Sequence, residues 1–176
     1  KMIIFGAGPI GIMMAILAKK VFLLDEIEFV EISEYRKKFL DSLNIATKIM
    51  SPEYLENNLR ELSGSYQYVI TACSIFQTHE IGLKLLSNGG AINFFGGLPK
   101  PSPSISLITN EIHYRELTLT GSHGSTPKQH SKAIDFILKN KSLFQKLITH
   151  KFELSRTEEA LKFASTGEGM KIVIKP

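Results

Sequence analysis

Short apolar runs alternate with longer mixed stretches along the first two-thirds of this chain. Met2-Ile3-Ile4-Phe5 is apolar throughout and is stopped by Gly6, the pattern of a strand buried on both faces of a parallel sheet. Ile10 to Lys20, rich in Ile, Met, Ala and Leu, predicts a helix. Ile27 to Ile32 predicts a second strand, and Ser33 before Glu34, Tyr35 and Arg36 is placed to N-cap a second helix. Ala46 to Met50 reads as a short third strand, Pro52 to Leu62 as helix or turn, and Tyr68 to Ala72 as a fourth strand. Gln77 to Leu86 predicts a helix that Asn88-Gly89-Gly90 stops in left-handed geometry, ahead of a fifth strand at Ala91 to Phe95. A looser stretch from Gly96 to Ser104, with Pro99, Pro101 and Pro103, precedes a sixth strand at Glu116 to Thr120. Strands alternating with helices imply an α/β, doubly wound parallel sheet.

The pattern changes after Thr126. A helix is expected from Pro127 to about Lys139, a short strand at Leu147 to Thr149, a helix from Ser155 to Ala164 and a last strand at Lys171 to Ile174. This tail reads as something other than a further strand–helix–strand repeat. No internal repeat and no low-complexity segment stands out.

The protein's 176 residues are 43% hydrophobic and 22% charged, which places it among ordinary globular chains. The single cysteine, Cys73, excludes an internal disulfide and a Cys-rich zinc site, so a reducing, cytoplasmic setting is expected. A net charge of +4 is spread along the chain, with Lys and Arg interleaved with Glu and Asp, and no nucleic-acid partner is expected. The long apolar stretch Met2 to Ala18 is broken by Gly6, Gly8, Pro9 and Gly11, so neither a membrane helix of about 20 residues nor a signal peptide is expected from it.

Those same glycines carry the first chemical signal. Gly6-Ala7-Gly8-Pro9-Ile10-Gly11 is a G-x-G-x-x-G turn between a strand and a helix. Its first glycine permits the tight turn, the second lets backbone approach a pyrophosphate, and the third lets helix pack closely on strand. The following helix N-terminus offers unpaired N–H groups to an anion. Glu31 stands 20 residues beyond Gly11, at the end of the second strand, where an acid that binds the adenosine ribose is expected. Together these features point to a Rossmann-type dinucleotide site. A carboxylate accepts hydrogen bonds from a ribose diol and repels a 2′-phosphate, which favours NAD over NADP. Arg36, five residues on, either faces a phosphate or is a solvated first-turn residue. A methyltransferase, which also follows a Gly-rich turn with an acid, is the chemical alternative; Pro9 and the full G-x-G-x-x-G favour the pyrophosphate.

The chain resembles the zinc-dependent medium-chain dehydrogenase/reductase family, in particular its sorbitol (L-iditol) and polyol dehydrogenase branch. The resemblance rests on Ile4 to Gly11, on Gly89-Gly90-Ala91-Ile92-Asn93-Phe94-Phe95-Gly96-Gly97-Leu98-Pro99, and on Ile112-His113-Tyr114-Arg115-Glu116-Leu117-Thr118-Leu119-Thr120-Gly121. The endings Leu147-Ile148-Thr149-His150 and Gly167 to Ile174 resemble the family's C-terminus. It implies a zinc-assisted oxidation of a secondary alcohol or polyol with hydride passed to NAD, in a homo-oligomer, dimer or tetramer.

By the same resemblance residues 1–121 form the NAD-binding Rossmann domain, and residues 122–176 form helices and strands that pack toward an N-terminal catalytic domain. That domain carries the family's zinc ligands, and this chain starts at the first nucleotide-binding strand. The chain is therefore expected to be the cofactor half of a larger enzyme, inactive alone and without zinc; a non-catalytic dinucleotide-binding or sensing module is the alternative. The histidines at 79, 113, 123, 130 and 150 show no close metal-ligand spacing.

The implied cofactor contacts are Gly6, Gly8, Pro9, Ile10 and Gly11 in the turn, and Glu31 with its neighbour Ile32 at the adenosine ribose. Arg36 lies beyond them. Ala72 and Cys73 line the cleft, Phe95, Gly96, Gly97 and Leu98 lie beside the nicotinamide, and Lys171 reaches the pyrophosphate. No catalytic residue and no metal ligand is assigned. Cys73 reads as a small buried apolar residue rather than a reactive thiol. His113 and Tyr114 are read as pinning a turn, and His150 as facing the other domain. Leu23-Leu24-Asp25 stands where the family has a glycine after its first helix. Ser104-Ile105-Ser106-Leu107 is read as an edge segment through which two copies pair.

Overall fold

The computed structural model describes residues 1–101 and 104–176; Pro103, part of the looser stretch read from the sequence, lies outside the described residues. The chain divides into two compact units, Lys1–Ser122 and His123–Pro176.

The first unit is a six-stranded parallel sheet in the order β3-β2-β1-β4-β5-β6. Its strands are β1 (Met2–Phe5), β2 (Ile27–Val30), β3 (Lys48–Met50), β4 (Tyr66–Thr71), β5 (Leu86–Phe94) and β6 (Thr118–Gly121). The helices between them are α1 (Pro9–Lys20), α2 (Glu34–Ser42), α3 (Pro52–Asn57), α4 (Leu59–Leu62), α5 (Phe76–Leu85) and α6 (Thr109–Tyr114). The Rossmann-type, doubly wound parallel sheet of six strands that was expected is the one found. β1 pairs β2 on one side and β4 on the other, with Phe5 opposite both Val30 and Thr71, so three strand ends lie level at the carboxyl edge.

Apolar alternation sends each central strand's residues to two covered faces. Ile3, Phe5, Val69 and Ile92 join Leu55 of α3 and Leu85 of α5 in one core cluster. Ile4 points the other way, where a Cβ on Gly11 of α1 would meet its Cγ2 at 3.3 Å, and Ile12, Ala15 and Ile16 of α1 are fully buried. Full burial of these side chains contributes about 1.5–3 kcal/mol each for the larger ones. At the amino end of the sheet, buried Glu28 accepts from the Tyr66 hydroxyl at 2.6 Å and pairs with Lys1 at 2.7 Å. Burial first, and then the Glu28 carboxylate, holds the Tyr66 phenol far above its ordinary range.

Several local expectations are corrected. α5 ends at Leu85 and β5 begins at Leu86, so Asn88-Gly89-Gly90 lies inside the fifth strand rather than capping a helix. Gly89, at φ +72°, marks an irregularity there: the partner of Tyr66 is Leu86, while that of Tyr68 is Ala91. His113 and Tyr114 end helix α6 instead of pinning a turn, and the left-handed residue Glu116 (φ +51°) delays the sixth strand to Thr118. Residues 104–107 form no strand, and the sheet's edge on that side is β6. After α1, Leu23 itself takes the left-handed conformation (φ +54°), and the Leu24 N–H returns to the Ala18 carbonyl at 3.1 Å.

The second unit holds α7 (Pro127–Lys139), α8 (Lys141–Lys146), β7 (Ile148–Glu153), a 3-10 turn, α9 (Thr157–Thr166) and β8 (Lys171–Lys175). Thr126 and Gln129 close a reciprocal capping box at the start of α7. β7 and β8 pair in parallel, so β7-α9-β8 is a strand–helix–strand unit after all. The alternation of Phe152 with Lys151 and Glu153 carries β7 four residues beyond Thr149, and the 17 residues between the strands supply the crossover that parallel pairing needs.

Candidate cofactor site

The turn between β1 and α1 is built by sterics. Gly6 sits at φ +98°, a conformation that only glycine adopts without strain, and a Cβ on Gly11 would lie 2.0 Å from the Gly6 carbonyl oxygen. Strand end and helix start are thus in direct backbone contact. Gly8 is the N-cap of α1 and offers no capping side chain, so the helix's first N–H groups keep no side-chain partner.

Glu31 follows directly on β2 and is 4% exposed. Its carboxylate accepts three backbone N–H bonds: Ala7 at 2.6 Å on one oxygen, Ile32 at 2.8 Å and Ser33 at 2.9 Å on the other. It therefore clasps the glycine turn to the end of β2. A carboxylate has about four acceptor positions, so about one remains free. Ser33 caps α2 by accepting from the Arg36 N–H. One turn along, the Arg36 guanidinium reaches back over Gly8, whose added Cβ would stand 3.8 Å from Nη1. The Arg36 Nε is buried without a hydrogen-bond partner, and no ion pair holds Arg36 among the described residues.

These groups open onto a cleft of about 610 Å³ at the carboxyl ends of β1, β2 and β4. Its walls bring together Gly6, Gly8, Glu31, Ile32, Arg36, Ala72 and Cys73 of the residues singled out in the sequence. The opposite wall is the start of α5, with Gln77, Thr78 and Ile81, and its lower side includes Pro52 and Leu55 of α3. Neither wall was read from the sequence. The fourth strand's position beside β1 was the signal that could have found Thr78 and Ile81, because such clefts form where neighbouring connections leave to opposite faces. Cys73 is half-buried in the wall, packed against the core cluster, with its Sγ 3.7 Å from Thr78 Oγ1.

Pro9, Ile10 and Gly11 form the first turn of α1 without lining this cleft, and Ile32 is mostly exposed at its rim. Phe95, Gly96, Gly97 and Leu98 follow β5 outside the cleft lining. Gly96 packs against the wall from behind: its N–H donates to the Thr71 carbonyl at 2.6 Å, and an added Cβ would stand 2.3 Å from the Cys73 carbonyl oxygen. Lys171 opens β8 in the second unit and is exposed. Among the described residues, no three of His, Cys, Asp and Glu converge as a metal would require.

A family model described as zinc-binding dehydrogenase matches residues 9–139. The chain belongs to this family. It is 30% identical over 153 residues to a D-altritol 5-dehydrogenase of Agrobacterium fabrum, covering 87% of this chain and 44% of that protein. It is 27% identical to a sorbitol dehydrogenase of Bombyx mori, covering 99% of this chain and 50% of that protein. The chain thus spans about half the length of the curated relatives it matches. The crystal structure of an alcohol dehydrogenase from Thermotoga maritima superposes with a TM-score of 0.86 at 21% identity, covering 99% of this chain and 49% of that one. That likeness carries the fold. No helix among the described residues is long and apolar enough to cross a membrane.

Proposed function

We propose that this chain is the cofactor-binding portion of an NAD-dependent, zinc-type dehydrogenase that passes a hydride between NAD and a secondary alcohol of the polyol class. The observation that carries the reading is the convergence, in one cleft, of Gly6 and the α1 N-cap Gly8 from the glycine turn, the buried Glu31 carboxylate and the unpaired Arg36 guanidinium. A dinucleotide needs each of them. The turn and the helix start take the pyrophosphate, the remaining acceptor position of Glu31 takes a ribose hydroxyl, and Arg36 lies on the adenosine side. The Cys73 and Thr78 wall, backed by the Gly96 turn, then lies toward the nicotinamide. The relatives named for D-altritol and sorbitol support the polyol class. The family match favours a dehydrogenase over a methyltransferase.

Zinc would polarise the alcohol oxygen in such a reaction. The described residues of this chain do not fit a zinc site, so no step here runs through one. In this reading the ligands, and most of the substrate contacts, come from a domain outside the chain, toward which the helices and strands of residues 122–176 turn. Self-association through the open edge at β6 belongs to the same reading; light scattering that gives only a monomer at high concentration would remove it. A non-catalytic nucleotide sensor would use the same cleft.

The test is a pair of calorimetric titrations, NADH and NADPH, on the purified chain. NADH should bind more tightly, by roughly thirtyfold, because Glu31 opposes a 2′-phosphate by charge and by a lost hydrogen bond. Absence of binding to either would overturn the reading.

A further inference from the structure

His79 sits in the first turn of α5 and is 8% exposed, a buried titratable side chain to which the cofactor reading gives no role. Its ring stacks on Phe94 at 4.9 Å between centroids, tilted by 44°. Its Nε2 is buried with no hydrogen-bond partner. Burial holds its pKa below the ordinary 6.5, and the adjoining Gly96 backbone offsets this in part. The ring thus joins a piece of the cleft wall to the turn that backs it. The wall piece is the start of α5, where neighbouring Thr78 lines the cleft. The backing turn is Phe94–Gly96, which is bonded to Thr71 and pressed on Cys73.

We propose that His79 is a positioning residue for the dinucleotide cleft: its neutral ring locks the α5 start to the Phe94–Gly96 turn, and its protonation releases that wall and weakens dinucleotide binding. This deepens the cofactor reading and rests on it.

No charged side chain pairs with the buried imidazolium, and the Gly96 backbone offsets its burial only in part. α5 carries Glu80 and Lys84, β4 carries Tyr66 and Tyr68 with Cys73 just after it, and β5 carries no titratable group. None of them contributes to the shift: burial lowers the value and the Gly96 backbone alone opposes it. A second proton would put an unpaired N–H and a charge into a desolvated pocket, so the protonated ring leaves it. The folded value is lowered, so the unfolded chain takes up the proton first as pH falls. The contribution of His79 is therefore complete above 6.5 and is lost progressively below it. Dinucleotide binding, which requires the intact wall, follows the same direction. By reciprocity NADH must lower the His79 pKa further, by the same factor as protonation weakens NADH.

The experiment measures NADH affinity of the whole chain from about pH 8 to about pH 5.5 and follows the His79 ring by NMR with and without NADH. Affinity should fall by roughly fivefold or more across that range. The His79 titration should move to lower pH when NADH is bound, and His79→Leu should give a flat affinity profile. A wild-type profile that is flat, a His79 titration that NADH leaves in place, or a His79→Leu profile with the wild-type slope would each overturn the proposal. The NMR arm needs no variant, so it decides even if His79→Leu does not fold. Absence of NADH binding at about pH 8 overturns the cofactor reading and this linkage with it, whereas binding with no pH dependence overturns the linkage alone.

Discussion

Glu31 joins fold and site in one side chain. Its three backbone N–H bonds are charge-assisted and buried, so removing the carboxylate orphans three donors at once. Glu31→Ala should cost about 3 kcal/mol or more, read as a lower urea midpoint with unchanged slope. Glu31→Gln should be milder, since its amide oxygen can keep the Ile32 and Ser33 bonds while the Ala7 N–H loses an acceptor. In titrations the same variants should lose NADH affinity and narrow the gap to NADPH, because the repulsion goes while Arg36 stays. A Glu31→Gln protein with unaltered stability and an unaltered NADH to NADPH ratio would mean that the carboxylate neither clasps the turn nor meets the ribose. The position of this acid was legible in the sequence, from its spacing to Gly11 and the end of an apolar run. Its occupation by Ala7, Ile32 and Ser33 was not, because hydrogen bonds from loop backbone leave no periodic trace. The Thr78 and Ile81 wall was missed for a related reason: it depends on which strand lies beside β1, a long-range fact.

Helix α1 shows how elements start and stop under local sterics. At its start the Gly6–Gly11 contact leaves no room for a methyl group, so Gly11→Ala should cost about 3 kcal/mol and displace the helix from the turn, lowering both the melting temperature and NADH affinity. At its end Leu23 holds a left-handed conformation with its side chain 76% exposed. Leu23→Gly relieves about 1–2 kcal/mol of strain, against about 0.5–1 kcal/mol for the added freedom of the unfolded chain. A net gain of about 0.5 kcal/mol should raise the midpoint by about 1–2 °C. A drop in melting temperature would mean that the exposed leucine packs in a way its burial does not reveal. Strands were legible wherever an apolar run had glycine or polar borders, as for β1, whose bounds match the pattern residue for residue. The pattern failed where backbone geometry overrode composition. Gly89 resembles a helix stop yet lies within β5, and the left-handed Glu116 shortens β6. In β7 the strand expected at Leu147 to Thr149 runs on to Glu153, and the polar residues on every second position hid that extension and its parallel pairing with β8.

At the scale of the molecule, the proposed function divides cofactor binding and chemistry between this chain and a domain outside it. The first unit supplies a cleft with an anion-ready helix start, an acid and a guanidinium, which is what holding a dinucleotide asks for. A hydride transfer asks for more: an alcohol oriented against the nicotinamide and a Lewis acid or base to take charge from its oxygen. No convergent set of metal-ligating side chains exists among the described residues, and the chain covers 44% and 50% of the D-altritol and sorbitol dehydrogenases it resembles. Binding and turnover should therefore separate in the purified chain. NADH should titrate its cleft, while mixtures of the chain with NAD and sorbitol should form no NADH above the protein-free rate, with or without added zinc. The discriminating control is the NADH titration in the same buffer: binding without turnover supports that division of labour. Zinc-dependent NADH formation from sorbitol by the 176-residue chain would show that its own side chains assemble a catalytic centre, and would refute that division.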